Sequence, residues 1–445
     1  MMHAHSQDSE RLERAVALVL DAARELGADA AEAAGTVESG LSVTVRLGEV
    51  ETLERHLDHS FGISVYFGRR KGSASTSDLS DEGLRKSVEA ACSLARFTAE
   101  DPCAGLAPAE RMATDVPDLD LLHPWDLDAE GALAIAKRCE DTARGLDERV
   151  TNSDGATVNS HLGASCYGNT HGFSGHFASS RHSISCSVIA ADERGMQRDY
   201  WYTVSRVPTE LEDPEAVGRR AAERTLRRLN GKRISTREAP VILAPEIARS
   251  LFGHLVAAIR GGALYRKASF LLDQVGEQIF PSWLRIHEQP HLPAALGSAP
   301  YDNEGVATLP RDVVSGGVLR GYVLDSYSGC KLGLPTTGNA GGVFNLTVDP
   351  GPDGAPDPVS GLDRGLLVTE LMGQAVNLVT GDYSRGAAGF WIENGEIVHP
   401  VEEITIAGNL KDMFQGIVAV GSDVDLRGNI RTGSVLIDRM TIAGE

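Results

Sequence analysis

Many of the short signatures that mark enzymes and nucleic-acid proteins are missing from this 445-residue chain. It holds no G-x-S-x-G elbow, no P-loop and no G-x-G-x-x-G fingerprint, so no standard serine hydrolase or nucleotide site is indicated. Positive charge is also scarce. The formal net charge is −20, a surface that repels phosphate backbones and argues against nucleic-acid binding. The basic clusters Arg69-Arg70-Lys71 and Arg227-Arg228 are local and read as solvated faces or helix ends. The cysteines, Cys92, Cys103, Cys139, Cys166, Cys186 and Cys330, contain no C-x-x-C pair. Neither a disulfide framework nor a zinc knuckle is indicated, and reduced thiols in a cytoplasmic protein are expected. No long apolar run is present. The stretch from Ala15 to Ala23 is broken by Asp21 and too short to cross a bilayer, and Met1 to Asp8 lack the pattern of a secretory signal. Aromatics make up only 5 %. What is there, 42 % apolar and 23 % charged residues with 48 glycines, suits two or three globular domains with many turns.

Leu12, Val16, Val19, Ala23 and Leu26 recur at helical spacing before Gly27, which predicts an amphipathic first helix. Alternation at Leu41, Val43, Val45 and Leu47, then at Ile63, Val65 and Phe67, predicts antiparallel strands with one buried face. Ser80 caps a helix carrying Leu84, Val88, Ala91 and Ala95. Pro and Asp crowd the stretch from 98 to 125, which reads as a linker. Asp128 opens another helix, and residues 150–207 are strand-like. Asp213, Pro214 and Glu215 start a further helix that Asn230-Gly231 ends. A strand at Val241 and Leu243, a helix from Pro245 to Arg260 and a glycine-punctuated β-rich stretch complete the chain. The order predicts an α+β fold, with antiparallel sheets and segregated helices. Its expected units are an α+β domain over 1–100, a linker over 101–126, an α+β domain over 127–232 and a β-rich domain over 238–445.

His287-Glu288-Gln289-Pro290-His291 matches the zinc-protease string H-E-x-x-H. That chemistry needs both imidazoles on one helical face. Pro290 and Pro293 oppose a helix there, so a coincidence in a surface loop is expected. His171 and His176 flank a glycine-rich turn and lack obvious further ligands. Ser328 to Lys331 match S-x-x-K without an accompanying S-D-N or K-T-G. More informative is the run from Gly381 to Gly395. Gly386 and Gly389 permit close backbone approach, and Asp382 and Arg385 could pair with each other or, with Ser384, hold the polar groups of a peptide. The alternative is a tight turn region whose glycines serve packing alone.

Several blocks in order carry a resemblance: Gly62 to Tyr66 with Arg70 to Ser75, Asp101 to Gly105, Arg198 to Tyr200, Leu251 to Leu255, Tyr301 to Gly305, Gly381 to Gly395 and Ile404 to Leu410. Together they resemble the TldD/PmbA family, once called modulators of DNA gyrase and regarded as metalloprotease subunits. The PmbA (TldE) branch is the nearer match. The resemblance implies a TldD branch with His-Glu, three residues, then His on a helix, plus a cysteine near the C-terminus as zinc ligands. Here Phe252 and Gly253 stand at the His-Glu positions, Ala257 at the second His and Thr432 near the cysteine, so no metal is expected in this chain. His254 is the one imidazole nearby, expected as a hydrogen-bonded helix residue. The implied function is a non-catalytic subunit that completes a chamber for unfolded peptides, with zinc in a TldD-type partner. Family members are associated with peptide-antibiotic maturation and antitoxin degradation. A homodimer of the isolated chain, a self-sufficient hydrolase using His171 or His176, and an adaptor for other protein partners stay open as alternatives.

Overall fold

The computed structural model describes residues 2–351 and 358–444. The first apolar stripe folds as helix α1 (Met2–Glu25), burying Leu12, Val16, Val19 and Ala23. Gly27 ends the turn at φ +80°, a left-handed conformation that a Cβ disfavours. Two long strands follow, β1 (Ala30–Arg46) and β2 (Glu49–Phe67), joined through Leu47-Gly48, both at positive φ. β3 (Arg70–Thr76) pairs antiparallel with β2. Helix α2 (Asp81–Phe97) starts at Ser80, whose hydroxyl accepts a hydrogen bond from the Gly83 N–H.

The middle region contributes α3 (Ala129–Gly145), β4 (Val150–Asn169), β5 (Ser174–Asp192), β6 (Gly195–Ser205) and α4 (Pro214–Arg227). β4 runs antiparallel to β1 from Glu32–Asn169 to Val45–Ala156, so the two regions share one sheet of order β3-β2-β1-β4-β5-β6. Ala31, Ala33, Val37, Leu41, Val43 and Val45 of β1 are all buried. Their uniform parity puts them on one face, where α1 and α2 cover one end and α3 and α4 the other.

The C-terminal region begins with β7 (Arg237–Leu243), α5 (Pro245–Ile259) and α6 (Gly261–Tyr265). β8 (Ile286–Glu288), β9 (Arg311–Ser315), β10 (Val318–Leu319), α7 (Ser326–Leu332) and β11 (Leu346–Val348) follow. Then come β12 (Arg364–Val376), β13 (Asp382–Glu393), β14 (Glu396–Asn409), α8 (Leu410–Gln415), β15 (Ile417–Val420), β16 (Ile430–Arg431) and β17 (Val435–Ala443). They build a sheet of order β14-β13-β12-β7-β17-β15, which closes on itself where β14 pairs β17, and a second of order β10-β9-β8-β11-β16. The expected α+β architecture holds, with β7–β12 and β11–β16 as parallel pairs. Leu251, Phe252, Leu255 and Ile259 of α5 lie in one large core with Val241, Leu243, Leu366 and Val368. Among the described residues no helix is long and apolar enough to cross a membrane.

Residues 101–126 are irregular apart from one short 3-10 turn, yet they are anchored along their length. The expectation of six reduced thiols is corrected here: Cys103 is disulfide-bonded to Cys330 of α7, across a sequence separation of 227. Such a separation leaves no local spacing pattern for the sequence to reveal. Asp101 reinforces the join, accepting hydrogen bonds from Lys331 Nζ at 2.8 Å and the Tyr327 hydroxyl at 2.7 Å. Cys92, Cys139, Cys166 and Cys186 are buried free thiols.

The Tyr301 to Gly305 block sits at the same join. Tyr301 packs edge-on against Phe173, with ring centroids 5.1 Å apart, and lies beside Phe177. Asp302 accepts the backbone N–H groups of Glu304, Val306 and Ala340, each at 2.9 Å. Glu304 accepts the Ser326 N–H and hydroxyl at the start of α7. Burial pushes Asp302 up to about 6 and Glu304 up to about 7.

A folded-state pKa above the unfolded value means that stability is fully present below the unfolded pKa and is lost as pH rises through the folded one. Urea unfolding at pH 5 and pH 8 is expected to show lower stability at pH 8. Glu304→Gln should remove on the order of 1–3 kcal/mol of that difference; an unchanged difference between the two pH values would count against the assignment. Cys103→Ser, or reduction with a dithiol, should lower the unfolding free energy by about 2–4 kcal/mol. An unmoved urea midpoint would mean that Cys103 and Cys330 are not joined in solution.

Candidate functional site

The zinc-protease string runs from a strand into a turn. His287 and Glu288 belong to β8, and the prolines that follow keep the segment out of a helix. His287 Nε2 pairs with Asp349 at 2.9 Å, and His291 Nε2 with the Thr308 hydroxyl at 3.0 Å. Glu288 departs from the surface-loop expectation. It is buried, and it accepts hydrogen bonds from Arg311 Nε at 2.6 Å, Asn339 Nδ2 at 2.9 Å and the Phe344 N–H at 2.9 Å. With those contacts it is a structural acceptor holding three segments together.

The other motifs also find structural partners. His171 lies in the β4–β5 turn, whereas His176 is on β5 and pairs with Glu13 of α1. Ser328 donates to its helix-capping Asp325 at 2.6 Å while Lys331 reaches Asp101, so serine and lysine serve separate contacts.

Helix α5 holds the positions where the resemblance places metal ligands. Pro245 occupies its first turn, where a missing N–H costs nothing. Phe252 is wholly buried, its ring centroid 6.4 Å from that of Phe280. A Cβ added at Gly253 would meet nothing within 4 Å, so the helix presents bare backbone to open space there. Ala257 is half-buried one turn further on. Thr432 follows β16, which packs beside α5, and its buried hydroxyl donates to the Gly433 carbonyl at 3.1 Å. A ring, a hydrogen, a methyl group and an engaged hydroxyl do not fit a zinc ion. Among the described residues no three His, Cys, Asp or Glu side chains converge as a metal cluster.

Next to α5 stands the β12–β13 hairpin. Beyond Val368, where pairing with β7 stops, β12 continues to Val376 with β13 on one side and no strand paired on the other among the described residues. Strand alternation sorts the candidate peptide-contact residues by face. Asp382 and Ser384 are exposed; Tyr383 is buried and Arg385 half-buried on the opposite face. Asp382 therefore does not meet Arg385. It accepts from the Thr380 hydroxyl at 2.6 Å and Asn409 Nδ2 at 3.2 Å. A Cβ at Gly386 would stand 3.3 Å from Met372 Cβ. One at Gly389 would fall 1.8 Å from the Leu367 carbonyl oxygen, so Gly389 allows two strands of the sheet to approach.

The inward face carries a cluster that reading the sequence linearly does not assemble. His254 of α5 lies edge-on to Tyr383, with ring centroids 5.9 Å apart. Contrary to expectation, His254 Nε2 has no hydrogen-bond partner among the described residues, and neither has Arg385 Nε. Burial, and then the charge of Arg385, lowers the pKa of His254; burial pushes Tyr383 up to about 12. The two-residue spacing of Tyr383 and Arg385 is the only local signal for the cluster, because His254 joins it from about 130 residues away.

Comparison with known proteins agrees with this architecture. Three domain profiles match, described as PmbA/TldA metallopeptidase domain 1 over residues 31–95, central domain over 122–229 and C-terminal domain over 236–444. "Metalloprotease PmbA" of Escherichia coli O157:H7 is 50 % identical over 434 residues, covering 98 % of this chain and 96 % of its own. "Zinc metalloprotease TldD homolog" of Saccharolobus solfataricus is 27 % identical over 219 residues, or 45 % of this chain and 48 % of its own. Among solved structures, a protein from Bacteroides thetaiotaomicron described as a modulator of DNA gyrase superposes with TM-score 0.92 at 29 % identity, covering 97 % of this chain and 99 % of its own. TldE of Thermococcus kodakarensis has the same fold, with TM-score 0.83 at 21 % identity over 97 % of this chain and 100 % of its own. The chain belongs to the PmbA/TldD metallopeptidase family, on its PmbA side.

Proposed function

We propose that this chain is the PmbA/TldE-type subunit of a TldD/TldE metalloprotease complex, completing a chamber for unfolded peptides without cutting them itself. One observation carries the reading. Helix α5 keeps its buried stripe and its place beside β16, yet Phe252, Gly253, Ala257 and Thr432 offer a metal nothing. A catalytic zinc needs about three protein donors and a water. The zinc then belongs to a TldD-type partner, in keeping with relatives that carry the TldD and TldE names.

Peptide is held, on this reading, by strand addition. The unpaired edge of β12 after Val368 offers backbone N–H and carbonyl groups to any extended chain, with little demand on side chains. Asp382, Ser384, Arg385, Gly386 and Gly389 belong to the neighbouring strand of that hairpin, with Arg385 on the face toward α5. The complex works in the cytoplasm, on substrates of the peptide-antibiotic and antitoxin kind. Without its partner the chain pairs with a second copy through the surface that the heterodimer would cover.

Cleavage of an unfolded peptide should be undetectable with this chain alone and should rise on the order of tenfold or more when it joins a TldD-type partner. A chelator should abolish cleavage by the mixture while leaving this chain's melting temperature unmoved. Cleavage by the isolated chain would refute the non-cutting role. A mixture no faster than the partner alone would refute the shared chamber.

A further inference from the structure

We propose that Arg385 and His254 form a carboxylate-binding subsite beside the emptied metal helix, and that it selects peptides bearing a free acidic group. This inference rests on the chamber reading above and gives its substrate a chemistry.

The first ground is an uncompensated charge. Arg385 is half-buried on β13 and forms no ion pair among the described residues. Four other half-buried arginines reach carboxylates, Arg224 at Asp199 and Glu246, Arg228 at Asp199 and Glu370, Arg311 at Glu288 and Arg427 at Asp425, whereas Arg206 is held, among the described residues, by backbone carbonyls alone. With 62 acidic against 42 basic residues, acids are not in short supply. The nearest by sequence, Asp382, points to the other face and is held by Thr380 and Asn409. A guanidinium withdrawn from water without a counter-charge is costly, and a ligand carboxylate removes that cost.

The second ground is the pair of unmatched donors. Arg385 Nε and His254 Nε2 are both shielded from solvent, and both lack a partner among the described residues. They come from different elements, one from β13 and one from α5, and Tyr383 lies against the His254 ring and within reach of Arg385. The third ground is room. Nothing lies within 4 Å of the place where a Cβ of Gly253 would be, on the residue next to His254. A strand added to the β12 edge would run along this face, so main chain and carboxylate could be held together. Arg385 supplies the planar fork suited to a carboxylate, and His254 adds a hydrogen bond from the side.

The carboxylate could be a peptide's C-terminus or an Asp or Glu side chain. Three fluorescent peptides of one neutral sequence separate these: one with a C-terminal amide, one with a free C-terminal acid, and one amidated with a single internal Glu. Binding to the full chain, alone and with its TldD-type partner stripped of metal, is read by anisotropy. At least one carboxylate peptide should bind roughly 10–100-fold tighter than the fully amidated one, and which one does identifies the source. Arg385→Met should erase that preference, Arg385→Lys should keep part of it, and Arg385→Glu should turn it toward a lysine-bearing peptide. Equal affinity for all three peptides in the unmodified chain, or a preference that survives R385M, overturns the subsite. The chamber reading is scored separately, by cleavage of the amidated peptide with unmodified subunits: a mixture faster than the partner alone sustains it whatever the carboxylate result.

Discussion

The C-terminal half depends on the burial of α5 against its sheet. Leu251, Phe252, Leu255 and Ile259 are each buried to at least 99 % in one core with strands β7 and β12. At roughly 1.5–3 kcal/mol for each large apolar side chain, these contacts are enough to keep the helix in place without a metal. Phe252 holds the key position. The resemblance puts a zinc-binding histidine there, and here a ring sits against Phe280 instead. Phe252 is part of the hydrophobic core, and its burial helps to hold the helix in position.

That helix sets the geometry of what surrounds it. It packs beside β12 and carries His254 toward Tyr383 of β13. The N-terminal region is tied to this half by the disulfide, by Asp101 and by Tyr301, which packs on Phe173 and Phe177. These ties make residues 101–126 a strap with fixed attachments. The two halves are therefore held in one relation while the edge of β12 stays free.

Local patterns made much of the fold legible. The stripe in α1, the cap at Ser80, the Asp213-Pro214 start of α4 and the alternation in β1 each depend on neighbours within a few residues. Long-range relations were not legible. The pairing of β1 with β4 merges two units that composition separates, and Cys103 meets Cys330 across a separation of 227 residues. The prolines after Glu288 correctly argued against a helix, but the burial of that carboxylate among Arg311, Asn339 and Phe344 depends on contacts no motif encodes. At the hairpin, composition grouped Asp382 with Arg385, whereas the period of a strand puts them on opposite faces.

The proposed subunit is a protease scaffold whose metal position offers no zinc ligands. Zinc content measures this most directly. The chain, produced alone in zinc-supplemented medium and dialysed, is analysed for metal per polypeptide, then again after assembly with a TldD-type partner. No stoichiometric zinc is expected on the isolated chain, and about one per heterodimer. One tightly held zinc per isolated chain would contradict that expectation.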